Sequence, residues 1–153
     1  MTKQKITRKA SDNQYLHKDF HIAFNYSLDY LRKNMGEGAV KEYLAQFTLT
    51  YFAPLKQSIM TNGLLALKEH YEKIYKIENA EYRMQFSETE LIIHLLASPA
   101  VMHIKNNGHP VSPLFRESVS TVNKVICQDT AYESEVLAYH EENGAYRLRF
   151  FKR

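Results

Sequence analysis

The apolar residues of the N-terminal half recur every three or four positions, which is the spacing of amphipathic helices. The pattern predicts a first helix that ends at Gly36 and a second one over residues 40–51. Pro54 stands where the first turn of a further helix accepts a proline. The apolar stripe that follows extends to about Glu78, with Asn62–Gly63 as its start or as a kink. We therefore expect three long helices before residue 80.

After these helices the apolar period changes from 3.6 to 2. The segment EYRMQF alternates as a strand with one buried face, and LIIHLLA is apolar on both faces, which is typical of a central strand. Near the C-terminus YESEVLAYH and AYRLRFF flank EENG as a hairpin. Between the two strand pairs the pattern predicts a short helix over residues 100–105 and a longer one from Ser112–Pro113 to about Cys127.

This order of elements predicts an α+β fold. We expect an antiparallel sheet of about four strands, covered mainly on one face by three long N-terminal helices, with a further helix between the two strand pairs. A pocket is expected at the seam between the helices and the sheet.

The charge distribution separates a basic tail from a nearly neutral body. Residues 1–12 are predicted to be a disordered tail, and residues 13–153 a single domain. Four of the 20 basic residues precede the first acidic one, and the 16 that remain face 17 acidic residues. We therefore expect no nucleic-acid partner. No apolar run approaches the ~18 residues of a membrane span, and no signal peptide is visible, so a cytoplasmic protein without a membrane partner is expected. The single cysteine excludes an internal disulfide.

Two histidines four residues apart, His17 and His21, are predicted to project from one face of the first helix. Asn25 continues the same column. The pair allows three interpretations: polar residues that line a cavity or the core, an acid–base or substrate-binding pair, or two ligands of a divalent metal that takes a third ligand from elsewhere. The glutamate of the HExxH signature is absent, because Lys18 occupies its position.

Further candidate residues lie in or after the predicted central strand. His94 within it is either a hydrogen-bonded core residue or a ligand contact. Ser98 at its end either caps the end of the strand or is a nucleophile, although no GxSxG motif surrounds it. His103 follows in the short helix, in a segment of the kind that often carries function. Arg116 is electrostatically unfavourable in the first turn of a helix, which predicts an acidic partner, either Glu117 or a ligand.

Tyrosine is abundant, with 11 residues in 153, and several tyrosines fall on the predicted helices. Their hydroxyls can line a semi-polar cavity, or the rings can pack at the rim of the core. Tyr26 and the neighbouring Asn25 are therefore candidate substrate contacts. No phosphate loop, dinucleotide fingerprint or serine–histidine triad spacing is visible.

Four segments of the chain resemble the bacterial L-2-amino-thiazoline-4-carboxylic acid hydrolase-like family: YLHKDFHIAFNYSLDYL, EYLAQF, YFAPLKQSIMTNGLLALKEHYEKIY and SPAVMHIKNNGHPVSPLFRESV. The similarity covers nearly the whole chain after the tail, through diffuse elements. It implies hydrolytic opening of a cyclic amidine that carries a carboxylate, a step from thiazoline carboxylate to cysteine. It also implies a cysteine before the proline that ends the central strand, where this chain has Ser98, a much poorer nucleophile at neutral pH.

For such a ring opening His17 or His21 is the candidate base, and His103 or His94 is the candidate acid. Arg116 is the candidate contact for the carboxylate of a small-molecule ligand. A competing hypothesis is a non-catalytic small-molecule sensor domain, which resembles the 4-vinyl reductase type and needs only a tyrosine-lined pocket. A third hypothesis is a subunit whose exposed helical faces form a homo-oligomer.

Overall fold

A computed structural model of the protein describes residues 19–153. The described residues form six helices and four strands: α1 (Asp19–Met35), α2 (Glu37–Tyr51), α3 (Ala53–Asn62), α4 (Leu64–Glu78), β1 (Tyr82–Phe86), β2 (Glu90–Leu95), α5 (Pro99–Asn106), α6 (Glu117–Cys127), β3 (Tyr132–His140) and β4 (Ala145–Lys152). The α+β class predicted from the sequence is confirmed. The predicted basic tail and His17 lie outside the described residues.

The four strands form one antiparallel sheet in the order β1-β2-β4-β3. β2 pairs with β1 on one side and with β4 on the other, which confirms the prediction of a central strand. Alternate residues of the two middle strands are buried beneath the helices: Leu91, Ile93, Leu95, Tyr146, Leu148 and Phe150. The intervening residues lie on the other face, where they are half-buried or exposed.

The helices are stacked above the sheet rather than laid side by side on it. α4 and α6 contact the strands, α2 packs on α6, and α1 packs mainly on α2 and α5. Three long N-terminal helices were expected to cover the strands, with a further helix between the two strand pairs. α6 instead takes the position over β3, because Val122, Ile126 and Cys127 give it an apolar face that the strands can bury.

The helical segment that Pro54 was predicted to open is α3, and the third long helix predicted as far as Glu78 is α4. The two helices meet at Gly63. Gly63 has φ 61° and ψ −139°, and a Cβ atom there would lie 2.5 Å from the hydroxyl of Tyr132. Both the backbone conformation and the available space therefore require glycine. The break predicted at Asn62–Gly63 is confirmed.

α6 begins at Glu117, four residues after the proline that was predicted to open it. Residues 112–117 form successive turns with i→i+3 hydrogen bonds, such as the one from the Phe115 N–H to the Ser112 carbonyl at 3.0 Å. The Ser112 hydroxyl accepts a hydrogen bond from the Leu114 N–H within the first of these turns. The cap predicted at Ser112 thus serves a turn that precedes the helix.

Candidate functional site

Polar side chains of α1 bind the segment between α5 and α6. Asn25 is only 1% exposed. Its Nδ2 atom donates to the Pro110 carbonyl at 2.8 Å, and its Oδ1 atom accepts from the Ser112 N–H at 2.7 Å. The Tyr26 hydroxyl lies 2.7 Å from Nδ1 of His109, and the two rings meet edge to face. The structure therefore places both candidate substrate contacts against the protein's own loop.

His21 faces the C-terminal end of α4. Its Nε2 atom lies 3.6 Å from a carboxylate oxygen of Glu78, and the two side chains are 11% and 14% exposed. The imidazole also meets the Phe20 ring edge to face, with 6.1 Å between the ring centres. The carboxylate therefore lies near a largely buried imidazole, although the distance is longer than that of a hydrogen bond.

Two buried tyrosines lie close to Glu78. Tyr75, one turn earlier on α4, and Tyr146 of β4 share a short hydrogen bond between their hydroxyls. Burial raises the pKa of both phenols above the ordinary range, and the negative charge of Glu78 raises it further. Both hydroxyls are therefore neutral at physiological pH and can serve as hydrogen-bond donors but not as bases.

Arg116 contacts Tyr139 at the same end of the sheet. Its guanidinium carbon lies 5.6 Å from the centre of the Tyr139 ring, and Tyr139 is the register partner of Tyr146. Burial raises the pKa of Tyr139 to about 12. Glu117, which was one expected partner of the arginine, instead accepts a hydrogen bond from the Thr121 hydroxyl at 2.6 Å. Among the described residues no carboxylate forms an ion pair with Arg116, and its exposed guanidinium remains available to an anion.

Ser98 caps the N-terminus of α5. Its hydroxyl oxygen accepts a hydrogen bond from the Val101 N–H at 3.3 Å, so the side chain caps the helix that follows and not the end of the strand. The turn between β3 and β4 covers it closely, because a Cβ atom on Gly144 would lie 2.6 Å from the Cβ of Ser98. Among the described residues this hydroxyl forms no hydrogen bond with a histidine, so its contacts do not support the nucleophile hypothesis.

The other candidate histidines lie apart from each other. His103 on α5 approaches α1, with its Nε2 atom 3.9 Å from a carboxylate oxygen of Asp19. This nitrogen is buried and has no hydrogen-bond partner in the described part of the chain. His94 lies on the face of β2 that the helices leave uncovered, between its register partners Arg83 and Arg147. The sheet therefore separates His94 from His21.

Two cavities are open to solvent. One, of about 440 Å³, lies on the surface of α1 and α2 and is lined by Tyr26, Ser27, Tyr30, Leu31 and Tyr43. The other, of about 550 Å³, lies where the α3–α4 junction approaches the β1–β2 turn and the segment before β3. No histidine lines either cavity. Neither corresponds to the pocket that was expected beside His21 at the helix–sheet seam.

Several residues around His21 were not singled out in the sequence. Glu78 ends an amphipathic helix far along the chain from His21, and no local spacing connects the two. Tyr75 lies on the apolar stripe of that helix, where it was counted among the tyrosines of a cavity or core. The alternation of residues in β4 indicates that Tyr146 faces inward with Leu148 and Phe150. This alternation was the only feature of the sequence that could have identified Tyr146 as a neighbour of the site.

No helix of the described residues is both long enough and apolar enough to cross a membrane. Within residues 19–153 no group of three or more histidine, cysteine, aspartate or glutamate side chains has an arrangement that could hold a metal ion. A metal site formed by His17 and His21 requires His17, which lies outside that range.

Comparisons with known proteins add no family to this description. No protein-family model matches the chain, and no curated protein matches its sequence. The resemblance to the hydrolase-like family therefore stays a prediction.

Proposed function

We propose that this protein is a hydrolase that opens a cyclic amidine carrying a carboxylate, of the L-2-amino-thiazoline-4-carboxylate type. The pairing of His21 with Glu78 carries the proposal, because a histidine oriented by a carboxylate is the usual machinery of general acid–base catalysis. The resemblance of the four sequence segments supports the same class of reaction.

The reaction adds water to the amidine carbon and breaks a ring C–N bond. The water oxygen becomes a carbonyl of the opened product, and both water protons end on the ring nitrogen, which becomes a primary amine of the same molecule. In our proposal His21 accepts a proton from the attacking water and returns it to the ring nitrogen, while Glu78 holds the imidazole in place. Arg116 binds the substrate carboxylate through its exposed guanidinium.

The contacts described above connect these groups in space. Arg116 lies over Tyr139, Tyr139 pairs in register with Tyr146, and the Tyr146 hydroxyl bonds that of Tyr75, one turn before Glu78. These contacts support the proposal, in which Arg116 and His21 act at the same end of the sheet. Neutral phenols between them supply hydrogen-bond donors without adding charge.

The proposal is tested by incubating the purified full chain with L-2-amino-thiazoline-4-carboxylate and following the appearance of the primary amine. We expect turnover by the wild type and a fall in kcat of about 100-fold or more in His21→Ala, the usual size of a general-base contribution. His140→Ala, which changes an exposed histidine at the end of β3, should behave as the wild type. Absence of wild-type turnover would overturn the activity, and equal rates for His21→Ala would remove His21 from the mechanism.

A second candidate function is binding of a small molecule without catalysis, as in sensor domains of the 4-vinyl reductase type. The cavity formed by Tyr26, Tyr30 and Tyr43 favours it, because rings with hydroxyl groups are common in ligand sites. A thermal-shift screen separates the two functions. Stabilisation by apolar aromatic ligands but not by the thiazoline, lost in Tyr30→Ala, would support the sensor.

A further inference from the structure

α1 and α2 form a helical hairpin whose outer face is open to solvent. A single residue, Gly36, joins the two helices. Towards the other end of the hairpin the ring centres of Phe24 and Phe47 lie 6.4 Å apart, so the helices run in opposite directions. The outer face combines residues at helical spacing on the side of α1 opposite His21 with their neighbours on α2. We call it the hairpin face, and it consists of Phe20, Ala23, Ser27, Tyr30 and Asn34 of α1 and Ala39, Tyr43, Gln46 and Thr50 of α2.

The hairpin face carries no charged side chain, although charged residues make up 24% of the sequence. Three of its residues are large and aromatic, and they are well exposed: Phe20 at 46%, Tyr30 at 64% and Tyr43 at 40%. Depletion of charge together with enrichment of aromatic residues distinguishes the centre of a protein–protein interface from ordinary surface. The charged residues of the two helices all occupy other positions: Asp19, Asp29, Arg32, Lys33, Glu37, Lys41 and Glu42.

The polar side chains that α1 contributes to the hairpin face are hydrogen-bonded within their own helix. The Ser27 hydroxyl donates to the Ala23 carbonyl at 2.9 Å, and the Asn34 amide donates to the Tyr30 carbonyl at 2.9 Å. A polar group that already has a partner costs less free energy to remove from water than one without a partner. The hairpin face can therefore be covered by an apolar surface at a small desolvation penalty.

The shape of the hairpin face fits a second face of the same kind. Small residues such as Ala23, Ser27 and Ala39 alternate with the projecting rings, and an open groove of about 440 Å³ lies beside Tyr30 and Tyr43. Helices pack by placing the side-chain ridges of one surface into the grooves of another. A two-helix face that has both projecting rings and low positions can pack on a copy of itself.

We propose that the hairpin face is the interface of a homodimer, in which the α1–α2 hairpins of two copies pack as four helices. The rings of Tyr30 and Tyr43 of one copy lie in the groove of the other, and two-fold symmetry makes the same contact twice. Uncharged surface meets uncharged surface, so no charge is buried without a partner. A nucleic acid, an anionic membrane surface or a charged peptide would find no complementary charge on this face.

The dimensions of the hairpin face correspond to a weak, reversible dimer. Helices of 15 and 17 residues are about 25 Å long, and two packed helices are together about 20 Å wide. Each copy therefore contributes a footprint of about 500 Å², and the pair about 1,000 Å², which is near the lower limit for a specific interface. We expect a dissociation constant in the micromolar range.

The proposed dimer leaves the site of the proposed function uncovered, because His21 projects from the opposite side of α1. It does cover the cavity formed by Tyr26, Tyr30 and Tyr43. Dimerisation and ligand binding in that cavity, the second candidate function, are therefore alternatives.

Sedimentation velocity of the full chain, from about 1 to about 300 µM, tests the proposal. The wild type should change from monomer to dimer across this range. Ser27→Glu places a charge at the centre of the hairpin face and should raise the dissociation constant by about tenfold or more, because both copies bring the same charge to the interface. Position 27 is exposed in the monomer, so the variant should keep the circular dichroism of the wild type. Gln57→Glu, the same change of charge at an exposed position of α3, is the matched control and should dimerise as the wild type.

Amide resonances of the ¹⁵N-labelled full chain locate the interface independently of any activity. As the concentration rises, the shifts should concentrate on residues 20–34 and 39–50. A wild type that stays monomeric throughout the range would overturn the proposal, and this result is also expected if residues 1–18 cover the face within one chain. A dimer of unchanged affinity in Ser27→Glu, or shifts centred on the sheet, would overturn it as well, because the contact would then lie elsewhere.

Discussion

The Nε2 atom of His21 lies 3.6 Å from a carboxylate oxygen of Glu78 and thereby joins α1 to the last turn of α4. Glu78→Gln keeps the size of this side chain and removes the charge that orients the imidazole. We expect the variant to fold and to hydrolyse the thiazoline with kcat lowered about 100-fold and KM nearly unchanged. Steady-state kinetics measure this. Glu81→Gln, an exposed change three residues later, should leave both constants as in the wild type, and an unchanged kcat in Glu78→Gln would contradict the orienting role.

Asn25 is expected to act as a structural clamp between α1 and the loop before α6. Asn25→Ala leaves the Pro110 carbonyl and the Ser112 N–H without their partner in a buried setting, so the free energy of unfolding should fall by about 2–4 kcal/mol. Urea denaturation measures the loss. Asn34→Ala removes one exposed hydrogen bond, to the Tyr30 carbonyl, and should change stability by about 0.5 kcal/mol or less. Similar losses in the two variants would show that the clamp contributes little.

Gly144 and Gly108 form a matched pair for testing close packing. Both have positive φ, at 68° and 77°. A Cβ atom on Gly144 would lie 2.6 Å from side-chain atoms of Ser98 and Val101, whereas nothing lies within 4 Å of one on Gly108. Gly108→Ala should therefore cost only the backbone strain, about 1 kcal/mol, and Gly144→Ala about 2–4 kcal/mol. Thermal unfolding of the two variants measures this difference in stability. Equal losses of stability in the two variants would show that the turn between β3 and β4 is not packed tightly against α5.

His70 should make stability depend on pH below neutrality. Burial, together with a smaller effect of the positive charge of Lys73, lowers the pKa of His70 from 6.5 to about 4. The ring packs edge-on against Phe52 and Tyr71. Because the pKa is lower in the folded chain than in the unfolded one, the neutral ring contributes stability above pH 6.5. This contribution is lost as the pH falls towards 4, by about 3 kcal/mol in full.

The variant His70→Phe keeps the aromatic packing and removes the titration. Between pH 7 and about pH 4.5 the wild type should lose about 2–3 kcal/mol more unfolding free energy than the variant does, measured by urea denaturation. His140→Phe, at an exposed position, should follow the wild type. Parallel pH profiles for the wild type and His70→Phe would show that this ring titrates normally.

The elements of the fold follow from local patterns in the sequence. The short helix after Ser98 and the central position of β2 were both predicted, because capping residues and apolar runs are local signals. The start of α6 was misplaced by four residues, since Ser112–Pro113 opens a series of tight turns as readily as it opens a helix. Local signals do not distinguish these two outcomes.

The candidate site was predictable only in part. The inward orientation of His21 and Asn25 follows from the column that they share on α1, but their partners lie on elements far along the chain. Several amphipathic helices have an apolar face that could cover the sheet, and packing decides which of them contacts the strands most closely. The alternation along β2 does place His94 on the face opposite Leu95, so its separation from His21 was implicit in the strand period.

Because α1 packs mainly on α2 and α5, we expect it to open more readily than the strands and the helices directly above them. His21 would leave with α1, whereas Glu78 would remain on α4. Access of solvent to this carboxylate and loss of the pairing would thus occur in one event. In hydrogen–deuterium exchange the amides of α1 should be labelled before those of β2 and β4, and a substrate analogue that bridges His21 and Arg116 should slow that labelling.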